Sequence, residues 1–122
     1  MIHRVLVLAC WAAALLALVM ASLPHPPELW TRPDDATQHF VAFVVITLLA
    51  RLAYPRARML TLLIAIAAFG GLIELVQAIP ALGRDCSLDD WMVDIAATAI
   101  TLVLLEPIQI ARERREAQRP SK

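Results

Sequence analysis

Four long apolar stretches, separated by short polar segments, divide the 122-residue chain. They cover residues 5–23, 36–54, 59–79 and 90–110, and none shows the alternation of a half-buried strand. Each is close to the roughly 20 residues that an α-helix needs to cross a hydrocarbon core of about 30 Å. The pattern predicts an all-α integral membrane protein, a bundle of four transmembrane helices.

Prolines mark the breaks between the stretches. Each proline removes an amide donor and fixes φ, so helices tend to begin or end beside it. The breaks contain Pro24, Pro26, Pro27, Pro33, Pro55 and Pro80. Because no long linker or repeat intervenes, we expect residues 1–122 to form a single domain. Residues 111–122 are predicted to form a solvated helix extension and tail.

The composition supports a membrane environment. Hydrophobic residues make up 60% of the chain and charged residues 18%, and the mean hydropathy is +0.67. An average soluble domain has roughly 45–50% apolar and about 25% charged residues. The formal net charge is zero, so no overall field attracts nucleic acid. The expected partner is therefore the lipid bilayer, and no nucleic-acid partner is expected.

The distribution of Lys and Arg predicts the orientation, because cytoplasmic segments carry the excess. With the N-terminus inside, nine basic residues are cytoplasmic, whereas Arg32 and Arg84 lie outside. The nine are Arg4, Arg51, Arg56, Arg58, Arg112, Arg114, Arg115, Arg119 and Lys122. We therefore expect both termini, and the tail 111–122, on the cytoplasmic side of a multi-pass plasma-membrane protein.

The first stretch has a second interpretation, as a cleaved signal peptide. Arg4 precedes it, and Val19-Met20-Ala21 offers small residues for a cleavage site. Its apolar run exceeds the 7–15 residues usual for the core of a signal peptide, which favours retention. Cleavage would leave the predicted orientation unchanged.

A stripe of small residues follows one face of the first predicted helix. Ala9, Ala13, Ala17 and Ala21 recur at every fourth position, a spacing that lets helix backbones approach closely. Tight packing within the bundle is the simpler interpretation, and a homo-oligomer is the alternative.

Polar side chains gather near one end of the other three helices. Because helix directions alternate, the start of the second, the end of the third and the start of the fourth meet at the outer surface. Charges at membrane depth are costly and usually face the bundle interior or a water-filled cavity. The predicted binding residues are Asp35, His39, Glu74, Gln77, Arg84, Ser87, Asp90 and Asp94.

This cluster has both structural and functional interpretations. Ser87 and the acids after it have the residue types of a helix N-cap, and Arg84 is a natural counter-ion for carboxylates at helix starts. Glu74 and Asp94 lie at least a turn inside their helices, where interhelical hydrogen bonds would hold the bundle together. Alternatively, these two residues and His39 are candidate catalytic acids and bases, or ligands of a divalent metal.

No standard motif decides the chemistry of these residues. The chain has no HExxH spacing, no Gly-rich phosphate loop and no serine in a nucleophile elbow. No cofactor is predicted beyond a divalent metal, and the sequence names no reaction.

In order and spacing, the cluster resembles the VanZ-like family of small bacterial membrane proteins. That family is named for a protein associated with resistance to the glycopeptide antibiotic teicoplanin. The matching segments are Asp35 with His39, Phe40 and Phe43, then Glu74-Leu75-Val76-Gln77, then Gly83-Arg84 with Ser87 and Asp90. They span about residues 35–101.

The chain departs from the family pattern at three positions. Ala36 replaces a usual Lys, Asp94 an Asn and Ala97 a Gly. The entrance of the second helix therefore lacks a cation, and the fourth helix gains a negative charge. A ligand inferred from the family would meet a different charge distribution here.

The resemblance implies a bacterial plasma-membrane protein with a role in the cell envelope or in tolerance of glycopeptide antibiotics. It supplies no reaction. The first functional hypothesis is recognition of an envelope or lipid-linked component at the outer face. The second is an enzyme acting on a lipid-linked substrate, with Glu74 or Asp94 as base and His39 as partner. A proton-coupled exporter is less favoured, because the first span carries no ionisable side chain.

Overall fold

The computed structural model describes residues 1–24 and 34–118 of the chain. These residues form four α-helices, one short 3₁₀ helix and no strand, which confirms the all-α prediction. The helices are α1 (Ile2–Ser22), α2 (Asp35–Ala53), α3 (Met59–Gln77) and α4 (Leu88–Ala117). Pro26, Pro27, Arg32, Pro33, Arg119 and Lys122, used in the predictions above, lie outside the described residues.

Each helix is long and apolar enough to cross a membrane. The protein is therefore a multi-pass membrane bundle of four helices, with helix ends close to those predicted. The fourth helix continues beyond the predicted span as far as Ala117, which agrees with the helix extension predicted after residue 110; α4 has 30 residues and would be about 45 Å long. It exceeds a hydrocarbon core of about 30 Å, so one end, carrying the exposed Arg112, Arg114 and Arg115, extends beyond it.

Local interactions set where α2 and α4 begin. The Asp34 carboxylate accepts a hydrogen bond from the Thr37 amide at 2.8 Å. Hydrogen bonds from the Thr37 hydroxyl and amide lower the pKa of Asp34. Ser87 Oγ accepts from the Asp90 amide at 3.2 Å, which confirms the capping interpretation of Ser87. Both caps satisfy amides that have no partner within the helix.

A short connection carries the chain from α3 into α4. The 3₁₀ helix Pro80–Leu82 follows α3, and Gly83 then adopts a left-handed conformation with φ of 59°. Glycine adopts this conformation without the steric cost that a Cβ brings. The turn leads back to Ser87 at the start of α4.

The helices pack as a core of three with α1 at its side. The fourth helix packs against α2 and α3, while α1 lies mainly along α2. Phe43, Ile73 and Leu102 are almost fully buried in the core, whereas Cys10 is the buried residue of α1. Most of the surface of α1 is therefore available to lipid.

Among the described residues, two side-chain hydrogen bonds attach α1 to the other helices. Near the middle of α1, Trp11 Nε1 donates to the Tyr54 hydroxyl at 3.0 Å. Near its end, the Ala21 carbonyl accepts from Gln77 Nε2 at 3.4 Å, the long limit for such a bond. The remaining contact is apolar packing, mainly on α2, which in lipid depends on van der Waals contact because the lipid tails are equally apolar.

The predicted cytoplasmic end contains a polar network that the sequence analysis missed. Arg51 is only 7% exposed, and its Nη1 donates to the Ala57 carbonyl at 2.7 Å. Gln109 Nε2 donates to the Pro55 carbonyl at 2.7 Å. Arg51 also lies 3.7 Å from a carboxylate oxygen of Glu106, an ion-pair distance. These contacts fasten the α2–α3 connection to α4.

The helices α3 and α4 approach closely at Gly70. A Cβ added to Gly70 would lie 2.7 Å from Asp94 Oδ2 and 3.3 Å from Phe43 Cε1. A Cβ added to the neighbouring Gly71 would make ordinary contact with Trp91, at 3.5 Å. Gly70 therefore leaves space for the Asp94 carboxylate.

We expect Gly70→Ala to destabilise the bundle by about 1–3 kcal/mol, as inserted atoms do in a packed core. Gly71→Ala is the matched control, and its higher helix propensity should leave stability unchanged or raise it by about 0.5–1 kcal/mol. The measurement is unfolding of the two variants and the wild type in detergent. Equal stability of the two alanine variants would contradict the proposed crowding at Gly70.

Candidate functional site

Three polar side chains, one from each core helix, meet inside the bundle. His39 Nδ1 of α2 lies 2.9 Å from Asp94 Oδ1 of α4, and His39 Nε2 lies 4.0 Å from Glu74 Oε1 of α3. The three residues are 9%, 0% and 5% exposed, respectively. We call His39, Glu74 and Asp94 the central cluster.

Neighbouring groups fix the Glu74 carboxylate and the His39 imidazole. Glu74 Oε2 accepts a hydrogen bond from the Ser87 amide at 2.7 Å, which joins the end of α3 to the start of α4. The His39 ring is nearly parallel to the Phe43 ring, with centroids 6.4 Å apart and an interplanar angle of 6°. The cluster is thus held by backbone and ring contacts as well as by its own atoms.

Two oxygens of the central cluster have no hydrogen-bond partner among the described residues. They are Glu74 Oε1 and Asp94 Oδ2, and both are buried. Leaving a polar atom buried and unpaired typically costs about 1–3 kcal/mol, and more for a charged group. Such atoms in a closely packed bundle call for an explanation, which a functional ligand can provide.

The other predicted site residues surround the cluster at the same end of the bundle. Arg84 lies 3.8 Å from Asp35, so its ion-pair partner is the acid at the start of α2. Gln77 is buried and donates to α1. Ser87 caps α4, and Asp90 lies partly buried in the first turn of that helix. The structure therefore brings all eight predicted residues to one end, with three at the centre.

A groove beside the cluster was not predicted from the sequence. Its volume is about 320 Å³, and it lies between α1, α2 and α3. One end is polar and is lined by Asp35, Gln38, His39, Gln77 and Arg84. The remaining wall is apolar and is lined by Ala13, Leu16, Ala17, Met20, Ala21, Ala42, Phe43, Val45, Ile46 and Ile73.

The alanine stripe of α1 is the sequence signal for this groove. Ala13, Ala17 and Ala21 line it, and they also pack partly against the core. Their spacing was interpreted as close packing, which small side chains do allow. The structure shows that the same small side chains also leave space between α1 and its neighbours.

Comparisons of the chain with protein-family models, curated proteins and solved structures gave no match. The chemistry of the site is therefore argued from its geometry. The cluster offers a histidine oriented by a carboxylate, a second carboxylate beside its other nitrogen, and an adjoining amphiphilic groove. These groups are suited to binding a cation, to binding an amphiphile, or to moving a proton.

Because the His39–Asp94 pair joins α2 to α4 inside the bundle, we expect it to contribute to stability beyond the two separate side chains. A double-mutant cycle with His39→Ala and Asp94→Ala should give a coupling energy of about 0.5–3 kcal/mol. The measurement is unfolding of the wild type, both single variants and the double variant in detergent.

Glu106 supplies the control pair for this cycle, since it lies roughly 18 Å farther along α4 than Asp94. The effects of His39→Ala and Glu106→Ala should add within about 0.3–0.5 kcal/mol. A coupling energy for His39 and Asp94 that is no larger than this control would mean that the hydrogen bond is not a stabilising contact.

Proposed function

We propose that the protein binds a phosphate-bearing lipid, or a lipid-linked envelope precursor, in the groove between α1, α2 and α3. The observation that carries the proposal is the division of this groove into a polar end and a long apolar wall. Ligand sites are typically concave and mostly apolar, with a few placed polar groups, and the groove has this character. An amphiphile is the class of molecule that matches both parts.

The apolar wall continues to the lipid-facing surface of the bundle. Leu16 of α1 is 62% exposed and Val45 of α2 is 44% exposed, and both line the groove. A hydrocarbon chain can therefore enter sideways from the bilayer and remain in contact with apolar side chains. A water-soluble ligand would gain little from this wall.

The polar end supplies donors for an anionic head group. Arg84 carries a guanidinium, whose planar set of donors suits phosphate oxygens, and Gln77 carries an amide. The Arg84 ion pair with Asp35 is long, at 3.8 Å, and the Asp35 side chain is 59% exposed. Because Asp35 is solvated, Arg84 can exchange this partner for a phosphate at small cost.

The proposal agrees with what the VanZ-like resemblance implies. A member of that family would lie in the bacterial plasma membrane, with the cluster at its outer face, and would act on an envelope component. The distribution of Lys and Arg supports this orientation, and a link to glycopeptide tolerance follows from the resemblance alone.

A second candidate function is an enzyme acting on the same lipid. The observation that favours it is the His39–Asp94 hydrogen bond of 2.9 Å beside the groove. A carboxylate that binds one imidazole nitrogen orients the other for proton transfer. In this case, His39 or Glu74 would act on the bound head group.

The orientation can be tested with the chain's own cysteines. Cys86 is exposed in the α3–α4 connection, whereas Cys10 is buried. A membrane-impermeant maleimide should therefore label Cys86 in intact spheroplasts, and Cys86→Ser should abolish this labelling. In the Cys86→Ser background, the additional substitution Ala117→Cys should give labelling only after the membrane is permeabilised. Labelling with the reverse pattern would place the cluster on the cytoplasmic side.

Lipid binding can be tested with a fluorescent polyprenyl phosphate and detergent-solubilised protein. Ala17→Phe should fill the apolar part of the groove and exclude the hydrocarbon chain. We expect it to weaken binding by about tenfold or more, which corresponds to a loss of about 1.4 kcal/mol or more. Arg84→Gln should reduce the preference for polyprenyl phosphate over uncharged polyprenol.

Ala12→Phe is the control for the groove variant, because Ala12 is exposed on α1 and does not line the groove. Equal weakening by both phenylalanine variants would contradict the proposal. Equal affinity of the wild type for polyprenyl phosphate and for polyprenol would also contradict it. Conversion of bound lipid that is lost in Glu74→Gln and His39→Ala while binding persists would establish the enzyme instead.

A further inference from the structure

The central cluster has the composition and spacing of a cation site. His39, Glu74 and Asp94 each offer one ligand atom, and these atoms all lie within 4.8 Å of one another. Each residue comes from a different helix, so an ion bound between them would join α2, α3 and α4. Imidazole and carboxylate together are typical ligands of Zn²⁺ and related divalent ions.

The hydrogen bonds around the cluster leave ligand atoms available. Ionised Asp94 accepts from His39 Nδ1, which selects the tautomer whose lone pair lies on Nε2. The Ser87 amide binds Glu74 Oε2 and leaves Oε1 unpaired. Two electron-rich atoms, Nε2 and Oε1, then face each other across 4.0 Å. This arrangement is unfavourable unless a positive charge lies between them.

The gap between these two atoms is slightly wider than a bound metal ion requires. A Zn–N bond of about 2.0–2.1 Å and a Zn–O bond of about 2.0–2.2 Å at a tetrahedral angle place the two ligand atoms roughly 3.4 Å apart. Because Nε2 and Oε1 lie 4.0 Å apart, a small side-chain movement brings them to this distance. The two carboxylates also provide the negative charge that compensates a divalent cation. Buried ionic groups in a membrane are typically neutralised by a partner in this way.

We propose that His39 Nε2 and Glu74 Oε1 bind a first-row divalent cation, with Zn²⁺ as the best match, and that Asp94 orients the imidazole through Nδ1. Two protein ligands leave coordination positions for further molecules. Since His39 also lines the groove, these positions are accessible from the groove.

Cation binding itself does not require the lipid. A lipid phosphate as the additional ligand would rest on the proposed function. The groove variant Ala17→Phe separates the two, because it blocks the apolar wall and leaves His39, Glu74 and Asp94 in place. We expect it to lose polyprenyl phosphate binding and to keep Zn²⁺ binding.

The test is a titration of chelator-treated, detergent-solubilised protein with ZnCl₂, followed by calorimetry and by metal analysis after desalting. The wild type should bind about one Zn²⁺ per chain, and its thermal unfolding temperature should rise with Zn²⁺ by mass action. Glu74→Gln and Asp94→Asn keep the shape of the side chains, and each should weaken binding by about tenfold or more. His39→Ala should have the same effect.

Glu106→Gln is the matched control, because Glu106 Oε2 is also buried and without a hydrogen-bond partner among the described residues, but lies roughly 18 Å farther along α4 than Asp94. It should leave Zn²⁺ affinity unchanged. If a variant fails to fold, the thermal response of the wild type and of Glu106→Gln still decides the matter. Absence of a thermal response and of bound metal in the wild type would overturn the proposal, and so would equal affinity in folded Glu74→Gln and Asp94→Asn.

Discussion

The hydrogen bond between His39 and Asp94 is the interaction on which the arrangement of the helices depends. Apolar side chains alone do not select one packing of helices in a bilayer, because lipid surrounds them as favourably as another helix does. The 2.9 Å contact fixes α2 against α4 at a particular height and rotation. Glu74 then joins α3 to the same point through the Ser87 amide. The polar cluster thus joins all three core helices at one point.

The sequence predicts much of this architecture because the bilayer imposes a simple length requirement. Apolar runs and prolines located four spanning helices, and the alternating helix directions brought the eight polar residues to one end. The ion-pair and hydrogen-bond partners of these polar residues were harder to predict. Arg84 pairs with Asp35, and Gln77 donates to the Ala21 carbonyl of α1. Such details depend on helix rotation and on loop geometry, which residue spacing along one helix does not define.

The groove and the buried Arg51 network show two further limits of sequence analysis. Small side chains on α1 are compatible with either contact or space, and only the position of α1 relative to α2 decides between them. Arg51 was expected to be one of the cytoplasmic cations, and in the structure it is buried and donates to the Ala57 carbonyl of the α2–α3 connection. Every residue has a backbone carbonyl, so the pattern of residue types does not show which carbonyl will accept a hydrogen bond from a buried side chain.

The attachment of α1 has a consequence for the proposed exchange of lipid with the membrane. In the described part of the chain, two side-chain hydrogen bonds, from Trp11 and from Gln77, join it to the remaining helices, beside its apolar packing on α2. The central cluster belongs entirely to α2, α3 and α4. For the lipid proposed above, the position of α1 relative to α2 would set the rate of entry and exit. The polar residues of α2, α3 and the α3–α4 connection would set the selectivity.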